Sequence, residues 1–316
     1  MHVDAYAQLT GIPRPPSVAP ALEALLNQSM LRVEIVAEPQ FCGSWFADAT
    51  CNGNGLFHLV NTGECLIESE ALEEAWHLQA GDLVVFPHGD PHRLRARDVT
   101  NDITTSLICG ELRYASHTRH PLSHALPACF VVRDAQADTL FRQLSTMMVE
   151  IAKTEVPGRK VLLNKLADTL FTLAVCDYAH RHADQQGLFA ALADNRICKV
   201  LQAVHEEPGH PWTMQNMAAL ACMSRSAFAE RFAQLMNVPP MQYVTQWRVN
   251  VAERLLHDPD LSVASIAERL GYSSEAAFRR LFKRVSGICP GHIRAGSRHA
   301  RGSRQAASNE AHQDTR

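Results

Sequence analysis

The sequence predicts a multidomain α+β protein: a β-barrel or sandwich with flanking helices, then an all-α domain in which one long helix joins two helix-turn-helix motifs. Three observations predict it. Between Leu31 and Ile108, short β-like runs (Leu31–Val36, Leu56–Asn61, Cys65–Glu68, Leu83–Phe86 and Ile103–Ile108) alternate with turn clusters such as Asn52-Gly53-Asn54-Gly55 and Asn61-Thr62-Gly63. From Asp138 the apolar period becomes helical. Near the C-terminus the stretch from Thr213 to Phe232 recurs from Leu261 to Phe282. Ala218 and Ala267 lie 49 residues apart and Phe228 and Phe278 lie 50 apart, so the copies align with one extra residue in the second turn.

In chain order, residues 1–30 read as an N-terminal arm, extended by Pro13, Pro15, Pro16 and Pro20. Residues 31–127 hold the strands. Residues 128–190 read as a helical hairpin: Leu140, Leu144, Met147/Met148 and Ile151 form one stripe, Pro157-Gly158 a break, and Leu162, Leu166, Leu170 and Leu173 a second stripe. Residues 191–205 are expected to be a linker, 206–295 the helix-turn-helix domain, and 296–316, polar and rich in Ser, Arg and Gln, a disordered tail.

Each helix-turn-helix copy has a physical rationale. Two short helices crossing steeply need a small or turn-forming residue between them, and Cys222 and Gly271 stand there. Ser224 and Ser273/Ser274 supply oxygens that cap the following helix. Phe228, Phe232 and Leu235 in one copy, and Phe278, Leu281 and Phe282 in the other, form the stripe that holds it. Left outward are Arg225, Ser226, Ala229 and Glu230, and Glu275, Ala276, Arg279, Arg280 and Lys283. Pro240 starts and Asp258-Pro259 stops the connecting helix, with Met241, Val244, Trp247, Val251 and Leu255 recurring between them. Two second helices held about 34 Å apart would enter successive major grooves on one DNA face.

A chain of 316 residues allows two domains, and its net charge of -3 argues against a wholly basic coat for nucleic acid. From Pro208 to Arg298, however, eleven Arg or Lys face six Asp or Glu, so positive charge is concentrated where DNA would bind. No apolar run of eighteen residues and no secretion-signal pattern occur, and a cytoplasmic protein with no membrane partner is expected. Nine scattered cysteines without a CxxC pair fit neither a zinc ribbon nor a disulfide scaffold.

Residues 206–295 resemble the DNA-binding domain of the AraC/XylS transcription regulators. The motifs are Ser224-Arg225-Ser226-Ala227-Phe228-Ala229-Glu230-Arg231-Phe232, Ile266-Ala267 followed by Gly271-Tyr272-Ser273-Ser274, and Phe278-Arg279-Arg280-Leu281-Phe282-Lys283 running to Gly287 and Pro290. The resemblance implies a sequence-specific regulator, an activator as most of the family are. Its implied partners are double-stranded promoter DNA, RNA polymerase, and a second copy of the chain through the helical hairpin. It maps base contact onto Ser226, Ala229 and Glu230 and onto Ala276, Ala277 and Arg280. Arg225, Arg279, Lys283 and Arg284 are then expected to meet phosphates.

The run Gly81-Asp82-Leu83-Val84-Val85-Phe86-Pro87-His88-Gly89-Asp90-Pro91-His92 resembles the second motif of the cupin family, matching it at Gly81, Pro87, Gly89 and His92. That implies a cupin-like jelly-roll β-barrel with the His92 imidazole in its mouth. The first cupin motif, which supplies further metal ligands, is absent: if Gly63 is its glycine, its glutamate position is Leu56 and its histidine positions fall near Cys51 and Asn52. One imidazole falls short of a stable divalent site, so no metal or cofactor is expected and the barrel reads as a sensor. The competing reading, a metal-dependent cupin enzyme carrying a DNA-binding appendage, needs the missing ligands. The input falls in one of two classes. A small-molecule effector would occupy a pocket at His58, Phe86 and His92, the alternative for His58 being a hydrogen-bonded structural histidine. Alternatively, thiols are oxidised: the layout resembles the reactive-chlorine-sensing AraC-type regulators, whose sensing segments match Cys42 and Cys109. That role asks for an exposed thiol with a lowered pKa, and Arg93, Arg95 or His92 could supply the charge. The alternative is that both cysteines are small core residues.

Overall fold

The computed structural model describes residues 18–28, 31–50, 54–97, 104–114, 121–182 and 187–294. The expected tail, residues 1–17, 29 and 30 of the expected arm, and the Cys51 and Asn52 positions lie outside them. The chain divides into two compact units. One is made of residues 29–115 and 122–182, the other of residues 1–28, 116–121 and 183–316.

The first unit is a two-sheet barrel with a helical hairpin. Its strands are β1 (Leu31–Ala37), β2 (Gln40–Phe41), β3 (Phe46–Ala49), β4 (Gly55–Thr62), β5 (Glu64–Ser69), β6 (Trp76–Gln79), β7 (Leu83–Phe86), β8 (His92–Arg95), β9 (Thr105–Tyr114) and β10 (Phe130–Val132). One sheet runs β1-β9-β4-β7-β10, with β2 also on β9; the other runs β3-β8-β5-β6, and all pairs are antiparallel. The barrel thus extends past the expected boundary at 127, because β10 pairs with β7 (Val131 opposite Val84). Between the sheets lie Leu56, Val60, Cys65, Ile67, Leu78, Val84, Phe86, Leu94, Leu107, Cys109 and Cys129.

The sheets differ in what covers their outer faces. Every residue of β7 and the first six of β4 are buried, because the hairpin covers the side of their sheet that faces away from the barrel core. The other sheet carries a ladder of charge pairs: Arg93 with Asp48 at 2.6 Å, Arg95 with Glu68 at 2.7 Å and Arg97 with Glu64 at 2.9 Å.

The hairpin follows a short helix α2 (Pro121–Ala125) and a 3-10 turn at Asp134–Gln136. It consists of α3 (Thr139–Ala152), capped by Asp138, and α4 (Arg159–Arg181). Its buried faces differ from the expected stripes. Phe141, Ser145 and Met148 face inward on α3, and Leu163, Ala167, Leu170, Phe171 and Ala174 on α4. Leu140, Met147, Val161 and Leu162 are exposed at 57, 52, 63 and 45%. Apolar residues occupy two sides of each helix, so periodicity alone places the inward face one residue off. A second link comes from polar side chains on α4. Asp168 and Asn164 accept from the backbone N–H groups of Val33 and Ile35 at 2.7 and 2.9 Å, satisfying donors on the edge strand β1 that would otherwise invite another strand.

The second unit is all-helical: α1 (Val18–Gln28), α5 (Leu188–Ala193), α6 (Ile197–Glu206), α7 (Met214–Leu220), α8 (Arg225–Met236), α9 (Pro240–Leu256), α10 (Val263–Arg269) and α11 (Glu275–Ser286). Two sequence expectations are corrected here. The end of the expected arm is a helix, with Leu22 and Leu25 buried where α1 lies on α6; Pro13, Pro15 and Pro16 precede it, and Pro20 falls in its first turn, where the missing N–H has no helical partner to lose. The expected linker is α5 and α6, because Ile197, Val200, Leu201 and Val204 make a buried stripe at helical spacing. His205 of α6 reaches the Tyr243 hydroxyl at 2.8 Å and packs tilted against Trp247 with ring centroids 4.0 Å apart, fixing α6 to α9.

The two helix-turn-helix copies are α7–α8 and α10–α11. Thr213, Ser224, Ser262 and Ser274 cap the four helices, each accepting from a backbone N–H three residues on. The turn residues Cys222 and Gly271 have φ of 53° and 76°, and Asn237 and Gly287 end α8 and α11 in the same left-handed region. The phenylalanine pairs are buried, with ring centroids 5.7 Å apart for Phe228/Phe232 and 5.5 Å for Phe278/Phe282.

Candidate functional site

The outward residues of α8 and α11 are where the sequence places them. Arg225, Ser226 and Glu230 are exposed and Ala229 is half-buried on α8; Ala276, Arg279, Arg280 and Lys283 are exposed and Ala277 is half-buried on α11. Their surroundings separate them. Arg279 is tied to Glu275 one turn back at 2.6 Å, and the Glu230 carboxylate accepts from the Gln234 amide at 3.4 Å. Ser226 lies 3.3 Å from the capping Ser224 hydroxyl. Arg280 projects from the middle of α11, and Lys283 and Arg284 follow in its last turn, where positive charge also suits the helix dipole.

In the barrel the structure brings His58, Phe86 and His92 together and adds Cys109. The inward alternation Leu56, His58, Val60 on β4 puts His58 opposite Cys109 of β9. His92, on β8 of the other sheet, stacks on Phe86 with centroids 3.7 Å apart. His92 Nδ1 lies 2.8 Å from the Asp90 carbonyl oxygen, His92 Nε2 lies 2.7 Å from His58 Nε2, and His58 Nδ1 lies 3.0 Å from Cys109 Sγ.

With both imidazoles neutral, these distances admit one arrangement of protons. A carbonyl only accepts, so His92 Nδ1 carries hydrogen, and neutral His92 then offers Nε2 as an acceptor. His58 donates to it from Nε2, which leaves His58 Nδ1 to accept from the Cys109 thiol. The result is one directed chain from Cys109 S–H through two neutral imidazoles to the Asp90 carbonyl. Burial favours the same protonation states. It pushes His58 down to about 3, with the neighbouring His92 adding to the effect, and lowers His92 against the opposing pull of the Asp90 carbonyl. Burial first, and Cys65 second, push the Cys109 thiol up to about 12. Cys65 and Cys129, two further thiols in the same core, are raised to about 12 and about 11, mainly by burial.

The expected electropositive thiol environment is therefore corrected. Arg93 and Arg95 lie on the outer face of their sheet, bound to Asp48 and Glu68, and the group beside Cys109 is a neutral imidazole. The two candidate cysteines also part company. Cys42 is exposed, 3.4 Å from the Thr104 hydroxyl. Thr104 precedes Cys109 by five residues of extended chain, about 16 Å at strand rise, and a disulfide needs Cα atoms within about 7 Å. In this conformation Cys42 and Cys109 do not bridge.

Sequence reasoning missed the polar pair on α4 and the Cys109–His58 contact. Asn164 and Asp168, one helical turn apart on a mainly apolar face, carried a readable signal; the β4–β9 register that places His58 on Cys109 did not. Among the described residues, no group of three or more His, Cys, Asp or Glu is arranged to hold a metal ion, and no helix is long and apolar enough to cross a membrane.

Comparison with known proteins matches residues 21–180 to a family described as Cupin and residues 217–296 to one described as Helix-turn-helix domain. The Escherichia coli K12 protein RclR, described as an RCS-specific HTH-type transcriptional activator, is 29% identical over 240 residues, covering 75% of this chain and 83% of RclR. The HTH-type transcriptional regulator AlkR of Acinetobacter baylyi is 33% identical over 254 residues, covering 68% of this chain and 79% of AlkR. Among solved structures, the DNA-binding domain of AdpA in complex with a target DNA is 35% identical at a TM-score of 0.32, covering 33% of this chain and 95% of that domain.

Proposed function

The chain belongs to the cupin-fused, AraC-type helix-turn-helix transcription regulators, and from that membership we propose that it activates transcription when a small, strong oxidant reaches Cys109 in the barrel core. DNA binding and transcription regulation come with the family; the signal and the residues that carry it are the proposal. The observation that supports it is the 3.0 Å contact between Cys109 Sγ and His58 Nδ1, with the other imidazole nitrogen already committed to His92.

The chemistry suits hypochlorous acid. As sulfur takes chlorine and the O–Cl bond breaks, the thiol proton leaves through His58 to the departing hydroxide. Water then displaces chloride, and the net products are sulfenic acid, a proton and chloride. Burial keeps Cys109 a neutral thiol at rest, which slows oxidants such as peroxide that need the thiolate. It leaves a strong electrophile as the effective signal. The description of RclR as RCS-specific supports the same class. The added oxygen enters a core already filled by Phe86, Leu107 and the two imidazoles, and such a core has no slack to absorb it without moving β4 or β9. Trapping sulfenic acid with a 1,3-dione and mapping the adduct by mass spectrometry is expected to label Cys109 after hypochlorite and far less after peroxide. A label confined to Cys42 would overturn the assignment.

On the DNA side, Arg280 reads a base, as an arginine spanning guanine O6 and N7, while Arg225, Lys283 and Arg284 meet phosphates. Arg280→Ala is expected to cost about 1–3 kcal/mol on the preferred site and to flatten sequence preference. Arg279→Ala costs less, since Arg279 is engaged by Glu275. Fluorescence anisotropy with the protein's own upstream DNA and a scrambled duplex checks both. The exposed Leu140, Met147, Val161 and Leu162 of the hairpin support pairing with a second copy through α3 and α4.

A further inference from the structure

We infer that Arg248 is a positioning residue that locks the two helix-turn-helix units at one separation, and so sets the spacing between the two DNA boxes the protein accepts. Arg248 lies on α9, the helix that joins the units. Its side chain crosses from one unit to the other. Its Nε donates to the Pro208 carbonyl at 2.7 Å and a terminal N–H donates to the His210 carbonyl at 2.8 Å; both carbonyls lie in the segment leading into α7. The same guanidinium sits over the ring of Tyr272, 5.6 Å from its centroid, in the turn between α10 and α11.

Under this bridge the two backbones touch. A Cβ built at Gly209 would overlap the Arg269 carbonyl oxygen, and one built at Gly271 would overlap the Gly209 carbonyl oxygen. Two glycines therefore let the lead-in of the first unit close on the turn of the second, and Gly271 also needs its left-handed φ of 76° there.

This contact changes the mechanics of the domain. Without the seam, the two units are held to each other only through their separate packing along α9, one towards Asn237–Pro239 and one towards His257–Ser262. A second, non-covalent attachment closes a ring through α7, α8, α9 and α10, and a closed ring does not swing. Two linked readers gain from binding together only when their fixed span matches the span of the boxes. The Arg248 fork satisfies two carbonyls at set angles, which a lysine cannot do.

The test is selection of binding sites from a random duplex library with the full-length protein, comparing wild type, Arg248→Lys, Arg248→Ala and Gly209→Ala. Gly209→Ala opens the seam without altering α9 or a DNA-facing residue. Wild type is expected to enrich two boxes at one spacing. Arg248→Ala and Gly209→Ala are expected to enrich the same boxes at scattered spacings. They lose roughly tenfold affinity for the two-box site and stay within about twofold on a single box, with Arg248→Lys between them and wild type. Retention of the single wild-type spacing in both seam variants would overturn the inference. So would an equal loss on one-box and two-box DNA, which would assign the seam to folding alone.

Discussion

Phe278→Ala is expected to destabilise the second helix-turn-helix unit by about 3–5 kcal/mol and to abolish two-box DNA binding at physiological temperature. Phe278 is fully buried and contacts Tyr272 and Phe282 with ring centroids 5.4 and 5.5 Å away. It holds α11 to the rest of its unit, so its loss removes both the buried ring and the support of the helix that carries Arg280. A loss of this size is a large share of the stability of a small domain. Urea unfolding followed by circular dichroism reads the stability change, and Phe278→Leu, which refills much of the volume, is expected to recover over half of it.

The reader was legible from sequence because its determinants are local. The caps Ser224 and Ser274, the turn residues Cys222 and Gly271, and the phenylalanine pairs each act within a few residues of their own position, and each stands where the sequence puts it. The hairpin was half legible. Its two helices appear, but Leu140 and Met147 lie on the open face, because an apolar residue at nearly every inward-adjacent position leaves the phase undetermined. The helix α1 escaped because its burial comes from a non-local contact with α6, whereas α6 carries a legible stripe at Ile197, Val200, Leu201 and Val204 that a linker assignment overlooks. The expected pocket already groups His58 with Phe86 and His92; only the three-dimensional register brings Cys109 to the other side of the same imidazole.

The second large effect is expected at Asp82. Its carboxylate is buried, accepts from the backbone N–H groups of Gln79 and Asp134 at 3.1 and 2.9 Å, and pairs with Arg133 at 2.9 Å. Arg133 also donates to the His77 carbonyl. This network ties the start of β7 to the end of β10 and to β6, at the base of the barrel that holds His58 and His92. Asp82→Ala leaves two part-buried backbone N–H donors and a guanidinium without the carboxylate that they share. The cost is about 3 kcal/mol, the low end for a broken buried pair because Arg133 is partly exposed and rehydrates. Asp82→Asn, which keeps one carbonyl acceptor, is expected to lose less. Thermal unfolding of the full chain, followed by scanning calorimetry, measures both.

In the proposed switch, the redox state of one thiol in the barrel controls transcription. Its most direct test is run-off transcription from the protein's own upstream DNA with purified RNA polymerase. Wild type, Cys109→Ser and Cys42→Ser are each compared before and after a stoichiometric dose of hypochlorite, and again after reductant. Wild type and Cys42→Ser are predicted to raise output on oxidation and to return on reduction, while Cys109→Ser stays at its starting level. An undiminished oxidant response in Cys109→Ser would show that the signal is sensed elsewhere than at Cys109.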